Sequence, residues 1–240
     1  MGRSNKMKMT RSTTRFLCRK IVLMPFITFE GSEGCGKTTQ VKRLTNHLEK
    51  IGIIPEVFRE PGGTAIGEAI RHLLQHSDES HAMTPEAELL LFEASRSQLV
   101  HEKIQPALKH GDWVICDRFF DSTTVYQGAA RKLDPALVER LNSFVADNCV
   151  PDLTFVLDVD RATARSRLSA RKIRDRMEEQ PEDFYERVRS AYRELARRDT
   201  ERVTLIDGSR HVDQIATEIW RIVRQRFALD SEIRTPHSAP

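Results

Sequence analysis

The chain has 240 residues, of which 39% are apolar and 30% are charged. That length suits one globular domain, and the apolar fraction allows a sizeable core, which argues against global disorder. The formal net charge is +3, but seven of the 38 basic residues and none of the 35 acidic ones lie in residues 1–24. The rest of the chain is mildly acidic, so no nucleic-acid partner is expected outside the first 24 residues.

The two ends of the chain differ from its middle. Residues 1–24 form a basic extension without an amphipathic repeat, and Ile21–Met24 is too short to span a membrane or to form a signal-peptide core. We expect a disordered tail, or a true translation start at Met24, rather than organelle targeting. Residues 230–240 also have the composition of a tail, and no membrane partner is expected.

The cysteines show neither metal-ligand nor redox spacing; they are Cys18, Cys35, Cys116 and Cys149. Cys116 lies in an apolar run and is expected in the core. Cysteines without such pairing fit a reducing cytoplasm, which is the expected location.

Short apolar runs alternate with longer helical patterns along the chain. Several runs are unbroken, which is typical of a parallel sheet that is buried on both faces. The predicted strands are, in order, Phe26–Glu30, Pro55–Arg59, Trp113–Asp117, Leu153–Val159 and Val203–Ile206.

The helical segments begin with recognisable signals. Thr84 provides a cap and Pro85 a first-turn proline, Asp134 precedes another first-turn proline, and Pro181 opens a third helix. Alternating strands and helices imply right-handed crossovers. We therefore predict an α/β fold, a three-layer α/β/α sandwich around a five-stranded parallel sheet, in one domain over residues 25–229.

The stretch GSEGCGKT matches the motif G-x-x-x-x-G-K-[ST] fully. Its glycines let the backbone curl so that N–H groups form an anion nest, and the following helix adds the positive end of its dipole. Lys37 can reach the β- and γ-phosphates of a nucleotide, and the Thr38 hydroxyl can bind Mg²⁺. The predicted ATP-binding residues are Gly31, Ser32, Glu33, Gly34, Cys35, Gly36, Lys37 and Thr38.

Two residues depart from a simple anion-binding loop. Glu33 places a carboxylate in an anion site, which is unfavourable unless it points away from the phosphates, either into solvent or toward an acceptor. Cys35 stands where an arginine could have added positive charge, so that charge has to come from elsewhere.

Residues outside the loop indicate a second anion. A predicted strand ends at Asp117, where an acid can hold Mg²⁺ through water, and Arg118 follows with a planar fork that suits a phosphate. Arg59 ends another predicted strand, and Arg71 lies on the helix that follows it.

Phe92 and Arg96 lie four residues apart, on one face of a predicted helix. Periodicity alone favours a core position for Phe92 and a solvated charge for Arg96.

In combination, these segments resemble the bacterial type of thymidylate kinase, a P-loop kinase of deoxythymidine monophosphate (dTMP). The matching segments span Phe26 to about Leu229 and are FITFEGSEGCGKTT, REPGGT, LLLFEASRSQLV, VICDRFFDSTTVYQG and PDLTFVLDV with DRMEE. The resemblance implies ATP as donor, Mg²⁺ as cofactor, conversion of dTMP to dTDP for dTTP synthesis, and a homodimer.

The resemblance also implies roles for individual residues. Phe92 would stack on the thymine ring, and Arg96 and Gln127 would hydrogen-bond its edge. Tyr126 would lie against the sugar and favour deoxyribose. Either of two acids, Glu33 or Glu60, would face the 3′-hydroxyl or the water shell of Mg²⁺. The other acceptor-site residues would hold the phosphate or line the base pocket: Arg59, Arg71, Arg118, Ser122 and Thr123.

Basic residues are frequent between residues 161 and 179, and a solvated helix face is the simpler interpretation. In the resembling family this stretch is a mobile lid, which supplies catalytic charge where the phosphate loop lacks an arginine. Because Cys35 stands at that loop position, the resemblance implies that the lid arginines matter here. The predicted catalytic residues are Lys37, Arg118, Arg167, Arg171 and Arg176.

Two other functions stay open on the sequence alone. A deoxynucleoside kinase on the same fold would need a general base for a neutral hydroxyl, and would have less use for three acceptor-side arginines. A nucleotide-dependent switch would bind no small acceptor, which would leave the acceptor-side residues without a purpose.

Overall fold

The computed structural model describes residues 24–77, 80, 82–169 and 180–229. Each predicted strand is present, and every strand boundary lies within one residue of the prediction. The strands are β1 Phe26–Glu30, β2 Glu56–Arg59, β3 Val114–Asp117, β4 Leu153–Asp158 and β5 Val203–Asp207.

Helices connect the strands in the predicted alternation. They are α1 Lys37–Glu49, α2 Ala65–Gln75, α3 Pro85–Leu99, α4 Gln105–His110, α5 Phe120–Thr123, α6 Pro135–Ala146, α7 Arg161–Leu168, α8 Glu182–Arg198 and α9 Val212–Arg226. A π-helical segment, Val100–Ile104, joins α3 to α4, and a second one, Thr124–Ala130, continues α5.

The predicted helix starts at Thr84 and Asp134 are confirmed by their capping geometry. The Thr84 side chain accepts a hydrogen bond from the Ala87 N–H at 3.2 Å, and Asp134 accepts one from the Ala136 N–H at 3.0 Å. Each cap satisfies an N–H group that has no partner within its own helix.

The sheet is parallel throughout and has the strand order β2-β3-β1-β4-β5. β1 is the central strand, with Phe29 in register with Asp117 on one side and with Phe155 on the other. All five strands therefore end at one edge of the sheet, where the loop after β1 meets the residues that follow β3.

Helices cover both faces of the sheet, so the predicted three-layer sandwich is confirmed. One face of β1, with Ile27 and Phe29, packs against Leu44 of α1 and Ile219 of α9. The other face packs against α3, α4 and α8 through separate apolar clusters.

The second face of β1 also carries polar side chains, because residues alternate between the faces of a strand. Thr28 and Glu30 are fully buried on this side. The Thr28 hydroxyl lies 2.7 Å from that of Thr154 on β4, and Glu30 lies beneath the functional cleft described below.

Of the segment predicted as a lid, residues 161–168 form α7, whereas residues 170–179 lie outside the described residues. The predictions for residues 1–23 and 230–240 also fall outside them. In the part of the chain that is described, Cys35, Cys116 and Cys149 are buried free thiols. No helix in the same ranges combines the length and apolarity needed to cross a bilayer.

The core packing of α9 leads to a first prediction. Ile219 is 1% exposed, so an Ile219→Ala substitution leaves a cavity and should lower the free energy of unfolding by about 2–5 kcal/mol. Urea unfolding followed by far-ultraviolet circular dichroism measures this loss. The same substitution at Ile54, which is 79% exposed, is the matched control and should change stability by less than about 0.5 kcal/mol. Equal losses at the two positions would contradict the packing described.

Candidate active site

A cleft of about 390 Å³ lies at the carboxyl edge of the sheet, between the loop after β1 and the segments that follow β2 and β3. Most of the residues predicted from sequence border it. They are Glu33, Gly34, Gly36, Lys37, Thr38, Arg59, Glu60, Arg71, Phe92, Asp117, Arg118, Ser122, Thr123, Tyr126, Gln127 and Arg167. The sheet order brings these residues together, although they are spread over 135 positions of the chain.

The phosphate-loop backbone is compact where its glycines lie. Gly31 has a φ of 132°, and a Cβ atom on it would lie 2.5 Å from the carbonyl oxygen of Leu157. Gly34 has a φ of 76°, and a Cβ atom there would lie 2.7 Å from the carbonyl oxygen of Ala164. Glycine is therefore required at both positions, because any side chain would collide with a neighbouring backbone.

Lys37 and Thr38 begin α1 directly after this loop. The Lys37 ammonium donates hydrogen bonds to the carbonyl oxygens of Gly31 and Ser32, both at 3.0 Å, and so lies across the loop. This position holds a positive charge at the helix N-terminus, where the backbone N–H groups also attract an anion.

Thr38, in the first turn of α1, forms a hydrogen-bonded pair with Asp117 at the end of β3. The Thr38 hydroxyl donates to Asp117 Oδ2 at 2.6 Å. The described residues contain no cluster of three or more His, Cys, Asp or Glu that could enclose a metal by itself. One hydroxyl and one carboxylate nevertheless fit Mg²⁺, which binds oxygen ligands and takes most of them from water and substrate phosphates.

Arg118 lies at the centre of the acceptor side of the cleft. It has a φ of 75°, and its Nη2 donates to Glu33 Oε1 at 2.7 Å. Its Nη1 donates to the Ser122 hydroxyl at 3.1 Å. The Tyr126 hydroxyl donates to Glu33 Oε2 at 2.9 Å, and burial raises the pKa of this phenol, which keeps it neutral. Glu33 thus points across the cleft toward the acceptor side.

Glu30 supports this arrangement from below, although no role was predicted for it from the sequence. It accepts hydrogen bonds from the Phe119 N–H at 2.7 Å, the Ser122 hydroxyl at 2.6 Å and the Tyr192 hydroxyl at 2.8 Å. Burial and the nearby Asp121 carboxylate raise its pKa. The alternation of β1, which buries Glu30 on the acceptor side, was the available sequence signal.

Two further arginines converge on one carbonyl group. The Pro61 oxygen accepts a hydrogen bond from Arg59 Nη1 at 2.9 Å and from Arg71 Nη1 at 3.0 Å. Arg59 Nη2 also donates to both oxygens of Glu68, for which no role was predicted from the sequence. Two guanidinium groups and the Glu68 carboxylate together leave this wall of the cleft with a net positive charge.

Arg96 lies behind the cleft wall rather than among the residues that border the cleft. It is 1% exposed, so the periodicity-based interpretation of a solvated charge is wrong; Phe92 is only half-buried and borders the cleft. All five N–H groups of Arg96 have acceptors within the protein, namely Glu60, Glu93, Thr123 and Asn142. Its predicted contact with the base edge stays a prediction.

Glu60 shares this buried cluster with Arg96, which lies 2.7 Å away. Burial raises the pKa of the Glu60 carboxyl to about 7, although the Arg96 charge opposes the shift. Both Glu60 oxygens accept from Arg96, so the predicted role of Glu60 toward the sugar or Mg²⁺ also stays a prediction.

α7 brings one of the predicted lid arginines to the phosphate loop. Arg167 Nη1 lies 3.5 Å from the carbonyl oxygen of Cys35, and Arg167 borders the cleft. Arg171 and Arg176 fall outside the described residues. Gly31, Ser32 and Cys35 belong to the loop but do not border the cleft.

Comparisons with known proteins agree with this geometry. The family model described as thymidylate kinase matches residues 29–219. The thymidylate kinase of Syntrophotalea carbinolica is 44% identical over 201 residues, which cover 81% of this chain and 93% of the relative. The thymidylate kinase of Geobacter sulfurreducens is 45% identical over 207 residues, which cover 84% and 97%.

A solved structure gives the same result. The crystal structure of thymidylate kinase from Ehrlichia chaffeensis is similar to this chain with a TM-score of 0.68 at 34% sequence identity. The match covers 84% of this chain and 98% of the solved one.

The Arg96 cluster leads to a second prediction. Arg96→Met leaves two buried carboxylates without their cation and should lower the free energy of unfolding by about 3–5 kcal/mol near neutral pH. The Glu60 pKa is already raised and rises further without Arg96, so the folded variant holds more protons than its unfolded chain. The stability deficit should therefore be smaller at pH 5 than at pH 8.

Urea unfolding at the two pH values measures this difference. Arg140→Met, at an exposed position on α6, is the matched control and should show no such deficit. A deficit in Arg96→Met that does not depend on pH would contradict the assigned carboxylate partners.

Proposed function

This chain belongs to the thymidylate kinase family and phosphorylates dTMP with ATP as donor, and we propose how the residues of its cleft perform that reaction. The observation that carries the proposal is the Arg118 centre. It joins the phosphate loop, through Glu33, to the acceptor-side residues Ser122 and Tyr126.

The acceptor is a phosphate whose second pKa is about 6, so it is largely ionised at neutral pH. No general base is needed, and the main obstacle is repulsion between two polyanions. We propose that Arg59, Arg71 and Arg118 bind the dTMP phosphate, since these cations border one side of the cleft. A neutral nucleoside would not require three such cations, which agrees with the family assignment.

On the donor side, the nucleotide phosphates would lie against the loop N–H groups and Lys37. Arg167 is proposed to add charge at the transferred group, because it already lies beside the loop at Cys35. Thr38 and Asp117 would hold Mg²⁺, the Asp117 contact running through water. When bound, Mg²⁺ neutralises charge on the phosphates of the donor.

The base and sugar would lie further along the acceptor side. Phe92 borders the cleft with its ring half-buried and is proposed to stack on the pyrimidine. Thr123 and Gln127 border the same cleft, and Tyr126 is proposed to exclude a 2′-hydroxyl. Glu33 would face the 3′-hydroxyl, since its carboxylate already points to the acceptor side.

The reaction is tested by ADP production from Mg²⁺-ATP with each nucleoside monophosphate and with thymidine. We expect strong turnover with dTMP, weaker turnover with dUMP, and none with thymidine or in excess EDTA. Lys37→Ala should lower kcat by on the order of 10³-fold, because one phosphate-binding cation is lost. Lys42→Ala, at an exposed position on α1, is the matched control. Turnover with thymidine, or near-normal turnover by Lys37→Ala, would overturn the proposed mechanism.

We also propose that the chain forms a homodimer through α2, α3 and α6. These helices pack side by side, α3 lying against both others. Each carries large apolar side chains that are exposed, and exposed apolar groups on adjoining helices favour an interface. The residues are Ile66 and Leu73 on α2, Leu90 on α3, and Leu137 and Phe144 on α6. Phe144 is 81% exposed, which is unfavourable in water without a partner.

Sedimentation velocity tests the interface. The unmodified chain should sediment with twice the mass of one chain, and Leu90→Glu combined with Phe144→Glu should produce monomers. Ile54→Glu, which is exposed but lies outside the three helices, is the control and should leave the dimer intact. A monomeric unmodified chain, or a dimer unaffected by the double substitution, would show that this face is not the interface.

A further inference from the structure

Gln127 lies in the π-helical segment after α5 and borders the cleft, but its side-chain amide is not free to turn. Its Nε2 donates a hydrogen bond of 2.8 Å to Oε1 of Glu88 on α3. Both residues are 1% exposed. The orientation of an amide follows from such a partner, because its two ends have opposite hydrogen-bonding character.

Arg131 forms an ion pair with Glu88 that uses both carboxylate oxygens. Arg131 Nε donates to Glu88 Oε1 at 3.1 Å, and Arg131 Nη2 donates to Glu88 Oε2 at 3.0 Å. Arg131 is itself fixed, since Nη1 donates to Gln180 at 2.8 Å and the guanidinium lies 4.8 Å from the centre of the Phe184 ring. A carboxylate paired with arginine accepts hydrogen bonds and donates none, so the NH₂ end of Gln127 has to face it.

The carbonyl end of Gln127 then has to face away from Glu88. Within the described part of the chain, no group donates a hydrogen bond to Gln127 Oε1. The Thr123 hydroxyl, which also borders the cleft, accepts a hydrogen bond from Arg96 Nη2 at 2.9 Å, and that bond does not set the direction in which the hydroxyl donates its own proton. The Arg96 donors are already used within the protein. The Gln127 amide is thus held in one orientation before a substrate binds, with its accepting oxygen Oε1 directed away from Glu88.

We infer that Glu88 is a positioning residue that determines which base the site selects. It orients the Gln127 amide so that Oε1 faces the base of the nucleotide to be phosphorylated and accepts a hydrogen bond from that base. The site then selects pyrimidines that present an N–H group at position 3, as thymine and uracil do, and rejects cytosine, whose N3 is an acceptor. This inference rests on the proposed function, because it takes the base to lie beside Gln127.

The unmodified enzyme provides the first arm of the test, with dTMP, dUMP, dCMP and N3-methyl-dTMP as acceptors. We expect dTMP and dUMP to be used and the other two to be poor substrates, since neither presents an N–H group at position 3. Use of N3-methyl-dTMP at a kcat/KM close to that of dTMP would overturn the inference without any variant.

Glu88→Gln provides the second arm. A glutamine at position 88 can accept or donate, so the Gln127 amide is no longer held in one orientation. The preference for dTMP over dCMP, as a ratio of kcat/KM values, should fall about tenfold, which corresponds to one hydrogen bond of about 1.4 kcal/mol. The ratio of dTMP to dUMP should stay unchanged, because both bases present the same N3–H.

Two further variants separate specificity from folding. Glu86→Gln makes the same chemical change at an exposed position two residues away and should leave both ratios unchanged. In a Gln127→Leu background, Glu88→Gln should have no further effect on the dTMP-to-dCMP ratio. A merely structural role of Glu88 would instead lower turnover of all acceptors alike, or alter the ratio equally in both backgrounds.

The outcomes also separate this inference from the proposed function. Absence of dTMP turnover in the unmodified chain would remove the proposed function itself. Strong dTMP turnover with a dTMP-to-dCMP ratio that Glu88→Gln does not change would leave the function in place and overturn the inference. If Glu88→Gln does not fold, Glu88→Asp takes its place: the shorter side chain withdraws the carboxylate from Gln127 Nε2, so the dTMP-to-dCMP ratio should again fall, and an unchanged ratio would overturn the inference.

Discussion

The parallel pairing of β1 with β3 is the constraint on which the site depends. It places Thr38 and Asp117 within 2.6 Å of each other, although 79 residues separate them in the chain. Because parallel strands end at a common edge, the phosphate loop after β1 and the Asp117–Arg118 pair after β3 have to meet there. The central position of β1 adds β4 on its other side, where the Leu157 carbonyl lies so close to Gly31 that no side chain fits at that loop position.

Buried carboxylates then determine how the polar side chains point. Glu30 holds Ser122 and the backbone of Phe119, Glu60 holds Arg96, and Glu88 holds Gln127. A buried carboxylate without partners would be strongly unfavourable, so each of these is surrounded by donors. The same donors are thereby fixed in direction, Ser122 and Gln127 at the cleft and Arg96 behind its wall.

The strands and the phosphate loop could be predicted closely because their signals are local. Unbroken apolar runs located every strand to within one residue, and the loop motif specified Gly31 and Lys37 by spacing alone. Arg96 shows where such reasoning fails. Its spacing along α3 is typical of a solvated charge, and its burial depends on the tertiary contacts with Glu60 and Asn142 in addition to the local partner Glu93. Glu88 was missed for the same reason, since its partner Gln127 is 39 residues away.

The cleft has to hold several arginines close enough to bind a phosphate without their mutual repulsion destabilising the fold. Clustered arginines repel one another, and here two of them have carboxylate partners, Arg59 with Glu68 and Arg118 with Glu33. Each pair keeps a guanidinium oriented toward the cleft, and both pairs are partly open to it, so a doubly charged phosphate can compete for the same donors. Glu33, which is unfavourable beside phosphates when the loop is considered alone, therefore has a physical role. It orients Arg118 from the loop, and it links the side that would hold the donor to the side that would hold the acceptor.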